Sequence, residues 1–183
     1  MSKKKGNKSI IDGIEFASDI ETAFYLHLKK KKEEGLVKDI RTHVTYILIP
    51  SYTDFEGNEV QAMTYTSDFN VIMSDGSEIV IDTKEYPGEE DYIKRKLFMS
   101  LNPDTPFYWV ERTPKYLGFY FVRDGFISKL RRRYEKLHGS SPSTKRNIKW
   151  TSRQIEEHFE FEDNGLFLTW KKTKRMKKGV KKK

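Results

Sequence analysis

Two runs rich in β-branched and aromatic residues, 64–73 and 77–84, flank the turn signal Ser74-Asp75-Gly76, so this stretch is expected to pair as a β-hairpin. Side chains alternate across a strand, and a slip of one residue moves them all to the other face, so the loop length decides what the hairpin is for. With Asp75 and Gly76 alone as the loop, Phe69 lies opposite Asp82, which sets a carboxylate among apolar side chains. With a three-residue loop, a type I turn carrying Gly76 in the left-handed position, Met73 pairs with Ser77 and Asp68 lies opposite Asp82. The second register sorts the residues: Phe69, Val71, Met73, Ile79 and Ile81 share a core face. Asp68, Asp82 and Lys84 share a water-facing one, with Thr66 opposite Lys84.

Two adjacent carboxylates repel, and one pKa rises unless a cation sits between them. The chain has no Cys and no clustered His, so hard oxygen ligands favour Mg²⁺, with Mn²⁺ as a substitute, over zinc or copper. Such an ion keeps several waters, polarises a phosphoryl oxygen and supplies a hydroxide-like nucleophile. Lys84, two residues past Asp82, is placed to orient that water or to offset charge on the phosphate. The plainer alternative is a set of ordinary charged residues on a solvated hairpin face.

Asp68 followed by Asp82-Thr83-Lys84 resembles the PD-(D/E)XK nuclease signature, with Ser67 where the signature has Pro. The run Thr64-Tyr65-Thr66-Ser67-Asp68-Phe69 is also similar to a strand of phage junction-resolving endonucleases of the endonuclease I kind. It is similar, too, to that of a family of small phage proteins assigned to the same superfamily. The resemblance spans about residues 14–110. It implies an α/β, restriction-endonuclease-like core in the order α-β-β-β-α-β, a mixed central sheet flanked by helices, with a basic C-terminal extension. It further implies metal held by Asp68, Asp82 and the Thr83 carbonyl, a shell completed by Glu21 on the first helix, and Lys84 positioning water. Glu85 departs from the Gly that the family often carries after the Lys.

The formal charge of +8 is unevenly spread. Residues 1–8 carry four Lys and residues 171–183 carry eight Lys and one Arg, with no acid in either. Residues 9–110 have a net charge of −9, 111–150 of +8 and 151–170 of −4. An acidic core suits a metal-binding unit, and the basic segments suit phosphate contact or a solubilising role. No apolar run reaches the length of a membrane span and no signal-peptide core follows Lys8, so the expectation is a cytoplasmic protein.

Ser18-Asp19-Ile20-Glu21 is a capping box, and Ile20, Ala23, Phe24, His27 and Leu28 recur at helical spacing up to a terminal Gly35. Glu21 therefore has a capping reading beside the metal one, and His27 reads as a packed residue. Residues 44–49 form a strand, 54–58 a turn, and a second strand runs from about Val60 to Met73. By resemblance His43 faces the active site, where the phage family often has Gln; a strand-end residue is the alternative. Residues 89–101 read as a helix with Ile93, Leu97 and Leu101 buried, and Lys94 or Lys96 either reaches phosphate or sits in solvent. Residues 107–110 supply another strand. Farther on, 116–122 is strand-like, 126–138 is a basic helix, a capping box at Thr151 opens a short helix, and 166–170 is a last strand.

The expected divisions are a basic arm (1–13), a nuclease core (14–112), a DNA-binding or dimerisation extension (113–170) and a basic tail (171–183). Arg131, Arg132, Arg133, Lys145 and Arg146 are the expected phosphate contacts, since guanidinium groups bind phosphate oxygens bidentately. Taken together, the resemblance implies a Mg²⁺-dependent DNA endonuclease acting on Holliday junctions or other branched DNA as a homodimer, with no nucleotide cofactor. The alternatives are a non-catalytic nucleic-acid-binding protein and a transposase- or restriction-type end cutter.

Overall fold

The structure, a computed structural model, describes residues 8–84, 87–112, 120–122 and 161–170. It opens with a hairpin of β1 (Ser9–Ile11) and β2 (Ile14–Phe16), followed by helix α1 (Asp19–Glu33). The predicted cap forms: Ser18 Oγ accepts from the Glu21 N–H, and the helix ends in a Schellman motif with Gly35 at φ +79° and Leu36 N–H donating to the Lys31 carbonyl. Strand β3 (Val37–Ile49) is longer than the predicted 44–49, the predicted 54–58 turn closes a small hairpin, and the predicted second strand starts at Met63 instead of about Val60. The hairpin is β4 (Tyr52–Thr53) with β5 (Glu59–Val60), and the second strand is β6 (Met63–Met73). After β7 (Glu78–Thr83) come α2 (Glu89–Leu101), β8 (Phe107–Arg112), β9 (Tyr120–Val122), β10 (Phe161–Asp163) and β11 (Leu168–Trp170).

The chain is a mixed α/β protein. Seven strands form the central sheet in the order β10-β11-β9-β8-β7-β6-β3. β6 and β7 are antiparallel, whereas β7 and β8 are parallel because α2 carries the chain back across the sheet. Phe24, Tyr25 and Leu28 of α1 pack with Phe69, Val71 and Ile81 on one face, and Phe98 of α2 packs with Tyr65, Val80, Phe107 and Trp109 on the other. Leu166 and Phe167, far along the sequence, complete the α1-side core. His27 is packed, as expected: its ring stacks on Phe24 and its Nε2–H donates to the Leu166 carbonyl at 2.8 Å. Among the described residues no helix is long and apolar enough to cross a membrane.

The three-residue loop forms. Gly76 has φ +86°, Met73 N–H donates to the Ser77 carbonyl at 2.8 Å, and Phe69 pairs with Ile81, the register that brings Asp68 opposite Asp82. The predicted face of α2 is rotated. Ile93 and Leu101 are more than half exposed, and Phe98 is the buried residue, with Leu97 partly buried. The cause lies on β8, where the Arg95 guanidinium stacks 4.4 Å from the Trp109 ring and Tyr92 meets the same indole edge-on.

The long β3–β6 pair changes its side-chain alternation partway. Ile40 and Val71 pair and pack toward α1, whereas Tyr46 and Tyr65, six residues along each strand, pair and pack toward α2. Residues an even number apart should share a face. The break falls where the ladder passes from Thr42–Phe69 to Val44–Ser67, across His43, whose φ is +54°. A left-handed residue inside a strand reverses the alternation that follows. Asn tolerates that conformation and a β-branched residue does not. Urea denaturation should therefore find His43→Asn close to wild type and His43→Val destabilised by about 1–2 kcal/mol.

Candidate functional site

β6 and β7 are joined by ladder bonds as far as Phe69 and Ile81. Beyond that pair their backbones part, because β7 continues beside β8, with Thr83 opposite Val110 and the Lys84 N–H donating to the Val110 carbonyl. Side chains replace the missing ladder bonds. Asp68 Oδ2 accepts from the Thr83 N–H at 2.7 Å and the Thr83 hydroxyl at 2.8 Å. In return, Asp82 Oδ1 accepts from the Asp68 N–H at 3.1 Å and from the Tyr65 hydroxyl at 2.7 Å. Two carboxylates are thus fixed side by side as the two strands diverge.

This corrects part of the expected geometry. Asp82 is only 2% exposed, because the face expected to meet water is the one that α2 covers. Thr66 does not oppose Lys84; its hydroxyl meets that of Thr45 at 2.9 Å. Lys84 does share the Asp82 side, with Nζ 3.9 Å from Asp82 Oδ2 and 3.3 Å from Asp91 Oδ1 at the start of α2. Asp91 also accepts from the Gly88 N–H, capping the helix that carries it.

Burial drives the electrostatics. It pushes the Asp68 carboxyl up to about 7, reinforced by the charges of Asp82 and Glu21 and opposed by the two Thr83 donors. Burial likewise raises Asp82, against the pull of the Tyr65 hydroxyl and Lys84. For Lys84, burial lowers the pKa, but Asp82 and Asp91 outweigh it and hold the amine above the ordinary lysine value. Lys84 is therefore a cation at neutral pH. As a cation it can orient or neutralise.

Glu21 sits close enough to Asp68 to raise it, while its carboxylate accepts from the Ala17 N–H at 3.0 Å and the Ser18 hydroxyl at 2.9 Å. The capping role is thus filled, and the acid is at the rim of the pair. Among the described residues no three His, Asp or Glu side chains converge as a ready-made metal cage. The two Asp groups nonetheless suit a hard divalent cation. The neighbouring donors fall on Asp68 Oδ2 and Asp82 Oδ1, which leaves Asp68 Oδ1 and Asp82 Oδ2 as hard ligands on a pair whose mutual repulsion a cation would relieve. Thr83 acts on Asp68 through its N–H and hydroxyl.

The remaining expected residues divide by position. His43 is exposed and lies on β3 beside the Asp68 end of β6, its ring 6.2 Å from Phe16. Lys94 is engaged by Glu90 at 2.8 Å one turn away, and Lys96 is exposed on α2. Arg131, Arg132, Arg133, Lys145, Arg146, Glu85 and both basic tails lie outside the described residues. Two participants went unrecognised in the sequence, Tyr65 and Asp91. Asp91 was legible in principle as an acid three residues after a helix-opening Gly.

A carboxyl raised by burial favours the protonated fold, so the native state holds a proton that the unfolded chain has released between about pH 4 and pH 7. Stability therefore falls as pH rises through that window. In a chelator, the melting temperature of the wild type should drop by on the order of 5 °C between pH 5 and pH 8, and Asp68→Asn should flatten the profile. Differential scanning calorimetry reads both, and an equally steep profile in the variant contradicts the assignment.

Neither a curated protein nor a solved structure matches the chain. A family model described as Protein of unknown function (DUF1064) matches residues 1–118. That span contains Glu21, Asp68, Asp82 and Lys84 and stops short of the arginine-rich segment, and since it covers more than half of the 183 residues, the chain belongs to this family.

Proposed function

We propose that this protein is a divalent-metal-dependent endodeoxyribonuclease of the PD-(D/E)XK type, acting in the cytoplasm on branched DNA. The observation that carries the reading is the Asp68–Asp82 pair, fixed as two strands part, with the Lys84 ammonium 3.9 Å from Asp82. The element sequence α1-β3-β6-β7-α2-β8 follows the order that the family resemblance implies, with the β4–β5 hairpin inserted. When bound, Mg²⁺ or Mn²⁺ would polarise a phosphoryl oxygen and activate water. Asp68 and Asp82 supply its ligands. Lys84, held charged by Asp82 and Asp91, orients the attacking water or stabilises charge that develops on the phosphate. Glu21, at the rim, is available to complete the shell through bound water.

Phosphate affinity has to come from elsewhere, because residues 9–110 carry a net charge of −9. The basic residues late in the sequence are the proposed source. Thr83 pairs with Val110, and Val110 with Val122, so the basic stretch that follows Val122 departs two strands from the acid pair, about 10 Å away at the usual strand spacing. Arg131, Arg132 and Arg133 belong to that stretch. Junction cleavage needs two symmetric cuts, which supports a homodimer.

The direct test incubates the protein with Mg²⁺ or Mn²⁺ and, in parallel, supercoiled plasmid, linear duplex and a four-way junction. The junction should be cut fastest, and Asp82→Asn and Lys84→Ala should each lower cutting at least ~100-fold while junction binding in a gel-shift assay stays within about threefold. Retained cutting in both variants would remove the proposed site. Binding without cutting in the wild type would favour a non-catalytic nucleic-acid-binding protein.

A further inference from the structure

We propose that Tyr65 is a positioning residue whose hydroxyl fixes the Asp82 carboxylate and so decides which oxygen is left to hold a divalent cation. The inference rests on the metal-site reading above.

Tyr65 is buried in an aromatic cluster, its ring centroid 5.4 Å from Phe98, 5.5 Å from Phe107 and 6.1 Å from Tyr46. For packing alone, Phe would serve, as it does at both neighbouring positions. A buried hydroxyl needs a partner, and among the described residues this one donates to Asp82 Oδ1 at 2.7 Å. The same oxygen takes the Asp68 N–H at 3.1 Å. The terminal torsion of an aspartate is broad and two-fold, so an unrestrained carboxylate samples many orientations. Two donors on one oxygen remove that freedom and commit Oδ2 to the Lys84 side. Burial and the neighbouring acids raise the Tyr65 pKa far above neutrality, so the hydroxyl remains a donor.

The placement depends on the alternation break at His43. Phe69, four residues beyond Tyr65, faces α1. In an unbroken strand Tyr65 would face α1 as well, on the opposite side of the sheet from Asp82. The left-handed residue on β3 and the tyrosine on β6 therefore form one device with the carboxylate.

The test compares Mn²⁺ binding to the full-length wild type, Tyr65→Phe, Tyr46→Phe and Asp82→Asn by isothermal titration calorimetry. Tyr46 is the control, since its hydroxyl meets the Asn70 amide instead of Asp82. Removing a group that orients a metal ligand costs on the order of tenfold in affinity. Tyr65→Phe should weaken Mn²⁺ binding about tenfold, Tyr46→Phe should stay within about twofold, and cutting by Tyr65→Phe should recover as Mn²⁺ is raised about tenfold. Equal affinity in Tyr65→Phe and wild type would overturn the inference and leave the metal site standing. An equal loss in Tyr46→Phe would also overturn it, by assigning the effect to packing. Absence of any wild-type binding that Asp82→Asn abolishes would remove the metal-site reading itself, and this inference with it.

Discussion

Two carboxylates lie together, Asp82 buried and Asp68 half-buried beside it. Burial and the neighbouring acids push the Asp68 carboxyl well above the ordinary carboxylate range, which is a penalty against ionising both. The surrounding structure answers that penalty piece by piece. Thr83 gives Asp68 two donors, Tyr65 and the Asp68 N–H give Asp82 two more, and Lys84 brings a positive charge that Asp91 holds from the far side. What these groups leave over is a demand for one proton or one cation. A site made only for stability would remove a carboxylate; this one retains both.

The scaffold makes the pair by leaving a sheet incomplete. β7 stays paired with β8 along its second half, but its ladder with β6 ends just where Asp68 and Asp82 occur, and the backbone groups released there must be satisfied by something. Carboxylate oxygens do it, reciprocally across the gap. The acids are therefore held by the main chain of the opposing strand, which is stiffer than any side-chain contact. Helix α2 then closes over the Asp82 side through Phe98 and Arg95, so α2 both links the parallel strands and lowers the local dielectric.

The parts legible in the sequence were those set by short-range rules. The Asp75-Gly76 signal and the apolar alternation were enough for the hairpin register, and the Ser18 box and Gly35 were enough for α1. What was not legible depended on neighbours distant in sequence. Ile93, Leu97 and Leu101 form a respectable helical stripe, yet the helix turns Phe98 inward because Arg95 finds Trp109. The expectation of a water-facing acid pair followed from strand alternation alone and missed the helix above it. Nothing in a histidine announces a positive φ, so the reversal of β3 and β6, and with it the meeting of Tyr65 with Asp82, had no local signal.

The far end of the chain bears on the same site. β10 and β11 extend the sheet beyond β9, Leu166 and Phe167 fill the α1-side core, and the Leu166 carbonyl holds His27. Residues 123–160, with ten Lys and Arg, thus lie in the sequence between β9 and β10, two strands of this one sheet. Val122, the last described residue before them, lies in line with Thr83 through Val110. An acidic site repels a polyanion, and under the proposed function basic residues near it would raise the local concentration of that same polyanion. The opposed charges of the core and of the sequence that follows it are what the proposed nuclease reading needs: carboxylates that would take a cation, and bases that would bring phosphate to it.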